Sequence, residues 1–297
     1  MKFPFPKDIM IEVTNECNLR CTTCYSHQDG REKKYMNFEV FKKIVDEIPD
    51  KQEKTMSLYN YGEPLMHREI EKFVEYAKES RIGNIKIATN GTFLTRKKAS
   101  ELCLAGLDYL SISVDGITQK SYEEFRKGWN LRLVLKHIQE TVYIRNKLKS
   151  WLQIELQFII MSHNQSEIEK VKVLAKKLWV DVLRLKTVLI KEKKWVSLDP
   201  KNIFSRYTNI LNKNSCQKPK EWIVVNVDGS IIPCCYITDS GIDILKYGNV
   251  SMWLLESFEK KESQDFVKKI SEDKTKSFYC KDCQEWNTEL NYELIYL

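Results

Sequence analysis

With 297 residues, 42% apolar and 30% charged side chains, the chain can bury a core of one large domain or of one large and one small. Its net charge of +7 rests on short, scattered basic runs (Arg96-Lys97-Lys98, Lys176-Lys177, Lys191 to Lys194), which argues against a nucleic-acid interface. No stretch approaches the roughly 18 to 20 apolar residues that span a bilayer. Residues 1 to 16 carry Glu12 and Glu16 in place of a secretion signal's apolar centre, so a cytoplasmic protein with no membrane partner is expected. Nine cysteines, an odd number clustered at the two ends, suggest metal centres more than a disulfide framework, with Cys103 left over as a core residue.

Ile9 to Val13 reads as a strand entering Cys17-Asn18-Leu19-Arg20-Cys21-Thr22-Thr23-Cys24. Three thiols spaced by three and then two residues can converge on zinc or an iron–sulfur centre. They leave a four-coordinate centre one ligand short, a position open to an external molecule. Asn37 caps a helix from about Phe38, with Phe41, Ile44, Val45 and Ile48 at helical spacing. A strand at Thr55 to Tyr59 and a helix at His67 to Lys78 follow. The alternation continues: strand Ile85 to Ala88, helix Lys97 to Ala105, strand Leu107 to Val114, helix Leu131 to Asn146, strand Ile154 to Met161, helix Ser166 to Leu178 and strand Val182 to Leu185. Strands separated by helices predict an α/β fold with a parallel sheet covered on its outer face. Six strands suffice for a partial, TIM-like (β/α)6 barrel.

Binding groups in such a sheet collect at the C-terminal ends of the strands. Gly62, Glu63 and Pro64 stand after the second strand and Thr89-Asn90-Gly91 after the third. Ser111, Ser113 and Asp115 share one face of the fourth by the period of two. Arg126 and Asn164 follow the fourth and fifth. Arg184 and Lys186 share a side of the sixth strand, where they could bind substrate oxygens or accept a proton; an exposed edge strand would explain the same residues. Beyond residue 200 the texture changes, and 201–297 is expected to form a second domain after a first over 1–200. Trp222 to Ile232 around Asp228-Gly229 reads as a hairpin. Cys216, Cys234, Cys280 and Cys283 could meet as four thiolates, enough for a closed zinc site or a cubane. Cys235 is a neighbour, an alternative ligand or a buried bystander.

The first cysteine group resembles the defining motif of the radical S-adenosylmethionine (SAM) superfamily. That resemblance implies that Cys17, Cys21 and Cys24 hold a [4Fe-4S] cluster whose fourth iron takes the methionyl group of SAM, and that the bound pair yields a hydrogen-abstracting deoxyadenosyl radical. It further implies that Gly62, Glu63 and Pro64 hold the SAM amine and that Thr89 and Asn90 line the cavity. By the same resemblance Ser113 and Arg126 touch the SAM carboxylate or ribose, Asp115 lines the cavity and Asn164 meets the adenosyl part. Tyr61 stands where the family has a glycine, and Thr23 where it has an aromatic residue or His. The C-terminal group resembles the shortened, or twitch, form of the SPASM module, which implies one auxiliary [4Fe-4S] cluster on Cys216, Cys234, Cys280 and Cys283.

The Gly229 to Cys235 segment, followed by Gly248-Asn249-Val250 and Trp253, resembles twitch proteins near the radical SAM dehydrogenase of aminocyclitol biosynthesis. This implies oxidation of a sugar or cyclitol secondary alcohol to a ketone, with a flavodoxin or ferredoxin as electron donor. An epimerase or peptide maturase with the same clusters is the alternative, with Cys235 or Cys103 as hydrogen donor. A zinc-binding structural or nucleic-acid-associated protein is the reading from another class.

Overall fold

The computed structural model describes residues 2–27, 30–187, 214–235, 248–249, 254–277, 280–281, 283 and 292–297. The expected boundary near residue 200 and the Lys191 to Lys194 run lie outside them.

In chain order the main elements are β1 (Asp8–Ile11), α1 (Phe38–Glu47), β2 (Thr55–Ser57), α2 (Ile70–Glu79), β3 (Asn84–Thr89), α3 (Arg96–Leu104), β4 (Tyr109–Ser113), α4 (Gln119–Phe125), α5 (Leu131–Leu148), β5 (Gln153–Ile160), α6 (Ile168–Leu178) and β6 (Val182–Thr187). They are followed by α7 (Lys218–Glu221), β7 (Trp222–Val225), β8 (Ser230–Ile232), β9 (Gly248–Asn249), α8 (Leu254–Glu259), α9 (Lys261–Asp273) and β10 (Tyr292–Tyr296). The chain divides into two compact units that interleave along the sequence: Met1–Cys17 with Tyr25–Lys86 and Asn212–Trp286, and Asn18–Cys24 with Ile87–Leu211 and Asn287–Leu297. The division falls within β3.

In the first unit the strand order is β3-β2-β1-β7-β8-β9. Strand β1 lies parallel to both β2 and β7, and Ile9, Met10 and Ile11 are buried on both faces, as a central parallel strand requires. The hairpin expected around Asp228-Gly229 forms as the antiparallel pair β7 and β8. Through the register Asp8↔Trp222 to Ile11↔Val225 it extends the sheet of β1. Helices α1 and α2 pack through Phe41 and Phe73, whose ring centroids are 4.5 Å apart. Asn37 caps α1 by accepting from the Glu39 amide, as the sequence suggested.

In the second unit the order is β10-β6-β5-β4-β3. Strands β4, β5 and β6 are parallel, and β10 runs antiparallel along β6. Strand β6 is therefore not an edge, and the edge-strand explanation of Arg184 and Lys186 falls. Ile154, Leu156, Phe158 and Ile160 alternate along β5 at 0 to 1% exposure. The residues that alternate with them are Gln153, which opens the strand, and Glu155, Gln157 and Ile159, so the strand's other face is mostly polar.

Candidate functional site

The second unit contributes the loop Asn18–Cys24. A turn closes it, the Cys24 amide donating to the Cys21 carbonyl at 3.1 Å. Cys21 packs against Phe125 and Met161. Burial pushes its thiol up, while the Arg126 guanidinium pulls the other way. Asn18, which sequence reasoning passed over, ties this loop to the Thr89-Asn90-Gly91 turn. Its amide donates to Thr92 Oγ1 at 3.1 Å and its carbonyl accepts from Asn90 Nδ2 at 3.0 Å. Gly91 has φ +76°, and a Cβ there would sit 3.0 Å from Val134 and 3.1 Å from Ile112. A glycine is needed for the turn to approach α5 so closely.

At the end of β4 the carboxylate of Asp115 is fully buried. Its Oδ2 accepts from Arg126 Nε at 2.7 Å and its Oδ1 from the Ile159 amide at 2.8 Å. Asn164 donates both amide protons to backbone, to the Asp115 carbonyl at 3.0 Å and the Ile159 carbonyl at 2.9 Å, and accepts from the Met161 amide. Asp115 and Asn164 thus brace the loops after β4 and β5. Ser113 accepts from Gln157 Nε2 at 3.3 Å.

A second polar group sits deeper on β4, β5 and β6, centred on Glu155, which sequence reasoning missed because an isolated Glu in an apolar strand reads as one solvent-facing position. It is 1% exposed. Its Oε1 accepts from Ser111 Oγ at 2.5 Å, and its Oε2 from Tyr109 Oη at 2.5 Å and Arg184 Nε at 2.6 Å. The Arg184 guanidinium lies 4.6 Å from the Tyr292 ring centroid. Glu155 raises the pKa of Arg184 further, so this side chain stays charged. A guanidinium held charged in this way offers hydrogen bonds to oxygens and no acceptor for a proton. Lys186 is half-buried on the same strand face.

The first unit holds Cys17, the Gly62-Glu63-Pro64 segment and the C-terminal cysteines. The Glu63 amide donates to the Glu16 carbonyl at 2.8 Å. A Cβ on Gly62 would collide with the carbonyls of Thr14 and Glu16. The motif is thereby strapped to the backbone just before Cys17. Gly62→Ala is expected to lower stability by about 2 kcal/mol or more, since the atoms it meets are backbone; the shift in denaturation midpoint measures it. One oxygen of Glu63, 2% exposed, caps the following turn by accepting from the Leu65 amide at 3.1 Å. Tyr61, in place of the family's glycine, donates its hydroxyl to the Cys235 carbonyl at 2.6 Å. It anchors the segment that carries Cys234.

Cys216, Cys234, Cys280 and Cys283 all lie in this unit, close enough that the charges of Cys234 and Cys283 act on both Cys216 and Cys280. Among the described residues no three His, Cys, Asp or Glu side chains stand at metal-holding distance as placed. The donor chemistry nonetheless fits an iron–sulfur cluster: four soft thiols, none of them in a disulfide, with buried cations beside them. Lys274, 2% exposed, donates to the Cys283 carbonyl at 2.5 Å. Lys218, 8% exposed, lowers the Cys216 pKa through its charge, and its backbone amide does so by hydrogen bonding. Burial pushes the Cys216 and Cys280 thiols up to about 11. In cluster-free protein both are expected to alkylate with midpoints near 11, against about 8.5 for an exposed thiol. The folded state keeps these protons where the unfolded chain loses them, so cluster-free protein loses stability as pH rises from about 9 to about 11.

Residues 11–142 match the model of the radical SAM superfamily, and residues 216–284 match the SPASM model, an iron–sulfur cluster-binding domain. The chain carries a radical SAM domain and, C-terminal to it, a SPASM-type domain. These domains bring SAM, a [4Fe-4S] cluster and an auxiliary iron–sulfur cluster as cofactors. Among particular relatives, the "Probable GTP 3',8-cyclase" of Methanocaldococcus jannaschii is 22% identical over 88% of this chain and 98% of its own. Its namesake in Methanococcus maripaludis strain C6 is 30% identical, but the match spans 46% of each chain, about half the length of that relative. BtrN in complex with AdoMet and 2-DOIA shares the fold with a TM-score of 0.63 at 20% identity, over 98% of this chain and 100% of that one. Native anSMEcpe with bound AdoMet and Cp18Cys peptide does so with a TM-score of 0.64 at 21% identity, over 95% and 87%. Among the described residues no helix is long and apolar enough to cross a membrane.

Proposed function

We propose that this radical SAM enzyme abstracts a hydrogen atom from a small polar substrate and oxidises a secondary alcohol of a sugar or cyclitol to a ketone. The observation that carries this reading is the second cysteine set. Cys216, Cys234, Cys280 and Cys283 share one unit and have buried cations beside them, which suits a centre that takes up an electron. With SAM bound, the cluster on Cys17, Cys21 and Cys24 supplies the hydrogen-abstracting radical, and the auxiliary cluster supplies an electron sink.

The protein's own part is to bind and orient. Asp115 fixes Arg126 through Nε, which leaves the guanidinium's terminal amines to the SAM carboxylate. Gly62, Glu63, Pro64, Thr89, Asn90 and Ser113 are the remaining SAM contacts in this reading, and Asp115 and Asn164 set the loops on which they depend. Arg184, held by Glu155, and Lys186 bind substrate hydroxyls. Cys235 is the candidate to relay a proton or hydrogen atom. A flavodoxin or ferredoxin delivers the initiating electron.

The test is anaerobic incubation of reconstituted enzyme with SAM, reductant and a panel of cyclitols, sugars, a Cys-containing peptide and GTP. Deoxyadenosine together with a ketone from a cyclitol or sugar is the expected result. Deoxyadenosine without an oxidised product sinks the dehydrogenase reading. The peptide complex of anSMEcpe favours a second reading, peptide modification or epimerisation. Solvent deuterium entering one carbon without net oxidation, and lost in Cys235→Ala, would establish it.

A further inference from the structure

In the second unit the helices run back against the strands. The C-terminal ends of α3, α5 and α6, and the turns after them, therefore lie at the N-terminal ends of β4, β5 and β6. Ser113, Asp115 and Asn164 are at the opposite ends. Four large apolar side chains protrude at this end: Leu104, Leu148, Trp151 and Trp179, with the two tryptophans 97% and 76% exposed. A single exposed Leu means nothing, but two bared indoles at one end of a unit call for a partner.

The turns that carry them are fixed. Asp181 accepts from Arg145 Nη1 at 2.5 Å and from the Ile154 amide at 2.7 Å, and its own amide donates to the Ile154 carbonyl at 2.9 Å. Arg145 Nη1 also reaches the Leu152 carbonyl at 3.4 Å. The residues flanking Trp151 and Trp179 are thus knotted around one carboxylate. Trp179 itself takes the left-handed C-cap of α6 at φ +57°, a position that usually falls to glycine or asparagine. Its ring, left 76% exposed, buries little of its own surface in return.

Lys147 and Lys149 at the end of α5 and Lys176 and Lys177 at the end of α6 stand within a few residues of the tryptophans along the chain, all exposed. None of them makes an ion pair among the described residues. Against them stand Asp108 and Asp181, the latter taken by Arg145. The patch is therefore apolar at its tips and positive around them.

We propose that this end of the second unit rests on an anionic lipid surface, the tryptophans entering the headgroup layer and the lysines meeting lipid phosphates. Lysine is depleted from protein–protein interfaces, whereas tryptophan with lysine is the pairing of membrane–water boundaries. The side chains stand on separate turn tips, which suits a fluid surface better than a shaped partner. Docked in this way, the catalytic ends of the strands face away from the bilayer, the length of the eight-residue β5 distant, roughly 26 Å.

Sedimentation of the full-length, cluster-loaded protein with phosphatidylcholine vesicles, with and without phosphatidylglycerol, tests this. Binding to the phosphatidylglycerol vesicles alone, weakened by salt and accompanied by a blue shift of tryptophan emission, is expected. Lys176→Glu with Lys177→Glu should weaken it at least about tenfold. Trp151→Ala with Trp179→Ala should weaken it similarly and abolish the blue shift, while leaving the circular dichroism of the protein unchanged. No binding to anionic vesicles, or equal binding by the tryptophan variant, overturns the proposal. Vesicles ignored while polyglutamate or single-stranded DNA is bound through the same lysines also overturns it, in favour of an acidic macromolecule.

Discussion

Replacing Cys17, Cys21 and Cys24 together with alanine is expected to remove about four irons per chain and to abolish deoxyadenosine formation from SAM. Loss of the thiolates removes the centre itself, so the effect should exceed the about 10- to 100-fold losses typical of changing a residue that only holds a metal ligand in place. The auxiliary site is carried by a separate set of thiols, Cys216, Cys234, Cys280 and Cys283, and should keep its own iron. Cys216→Ala with Cys280→Ala should behave oppositely: SAM is still cleaved, but the oxidised product disappears. Cys103 is the control. It is 7% exposed on the inner side of α3, so Cys103→Ala should cost packing and no iron. Iron analysis and deoxyadenosine yield on the three variants decide the matter. Loss of SAM cleavage from Cys216→Ala with Cys280→Ala, or loss of iron from Cys103→Ala, would remove the assignment of separate roles to the two cysteine sets.

Much of the fold was open to reading because its strands are short apolar runs bounded by helices with a clean 3.6 period. Strands β1 to β6 all fall within a few residues of their expected places, and Asn37 caps α1 as read. Helix α4 escaped notice: its cap is Thr118 with Ser121, a capping box lacking the usual Glu or Gln, and only Tyr122 and Phe125 are buried. Strand β10 escaped as well, because Tyr292–Tyr296 has half-exposed residues with no alternation, and only pairing with β6 makes it a strand. That β7 would lie parallel to β1 across more than 200 residues of chain is a long-range pairing that no local pattern reports. In the site, residue types and spacing exposed the cysteines and the strand-end motifs. The partners that hold them were hidden: Asn18, Tyr61 and Glu155 matter through side-chain contacts made at sequence separations that periodicity does not reach.

Glu155 carries the larger stability prediction. Glu155→Leu should cost about 3–5 kcal/mol, because it leaves the Arg184 guanidinium in the interior without its carboxylate and two hydroxyls without their acceptor. Arg184→Leu alone should also destabilise, leaving the carboxylate buried with only neutral donors. The double variant Glu155→Leu with Arg184→Leu should recover part of the loss, since a paired charge replaced by apolar side chains of similar size is often nearly neutral. Denaturant midpoints for the wild type, both single variants and the double variant form the cycle, and a coupling near zero would show that the pair does not act as a unit. The pH dependence follows from Tyr109, whose pKa is raised above its ordinary 10.0, first by burial and then by the charge of Glu155. The folded protein keeps the phenolic proton where the unfolded chain releases it, so stability is complete below pH 10 and falls as pH rises beyond it. Glu155→Gln removes the charge and keeps an acceptor, so the fall should be shallower. If Glu155 is also what holds Arg184 for the substrate, the same variant should raise KM for the substrate while leaving SAM cleavage in its absence unchanged, a separation that loss of stability alone would not produce.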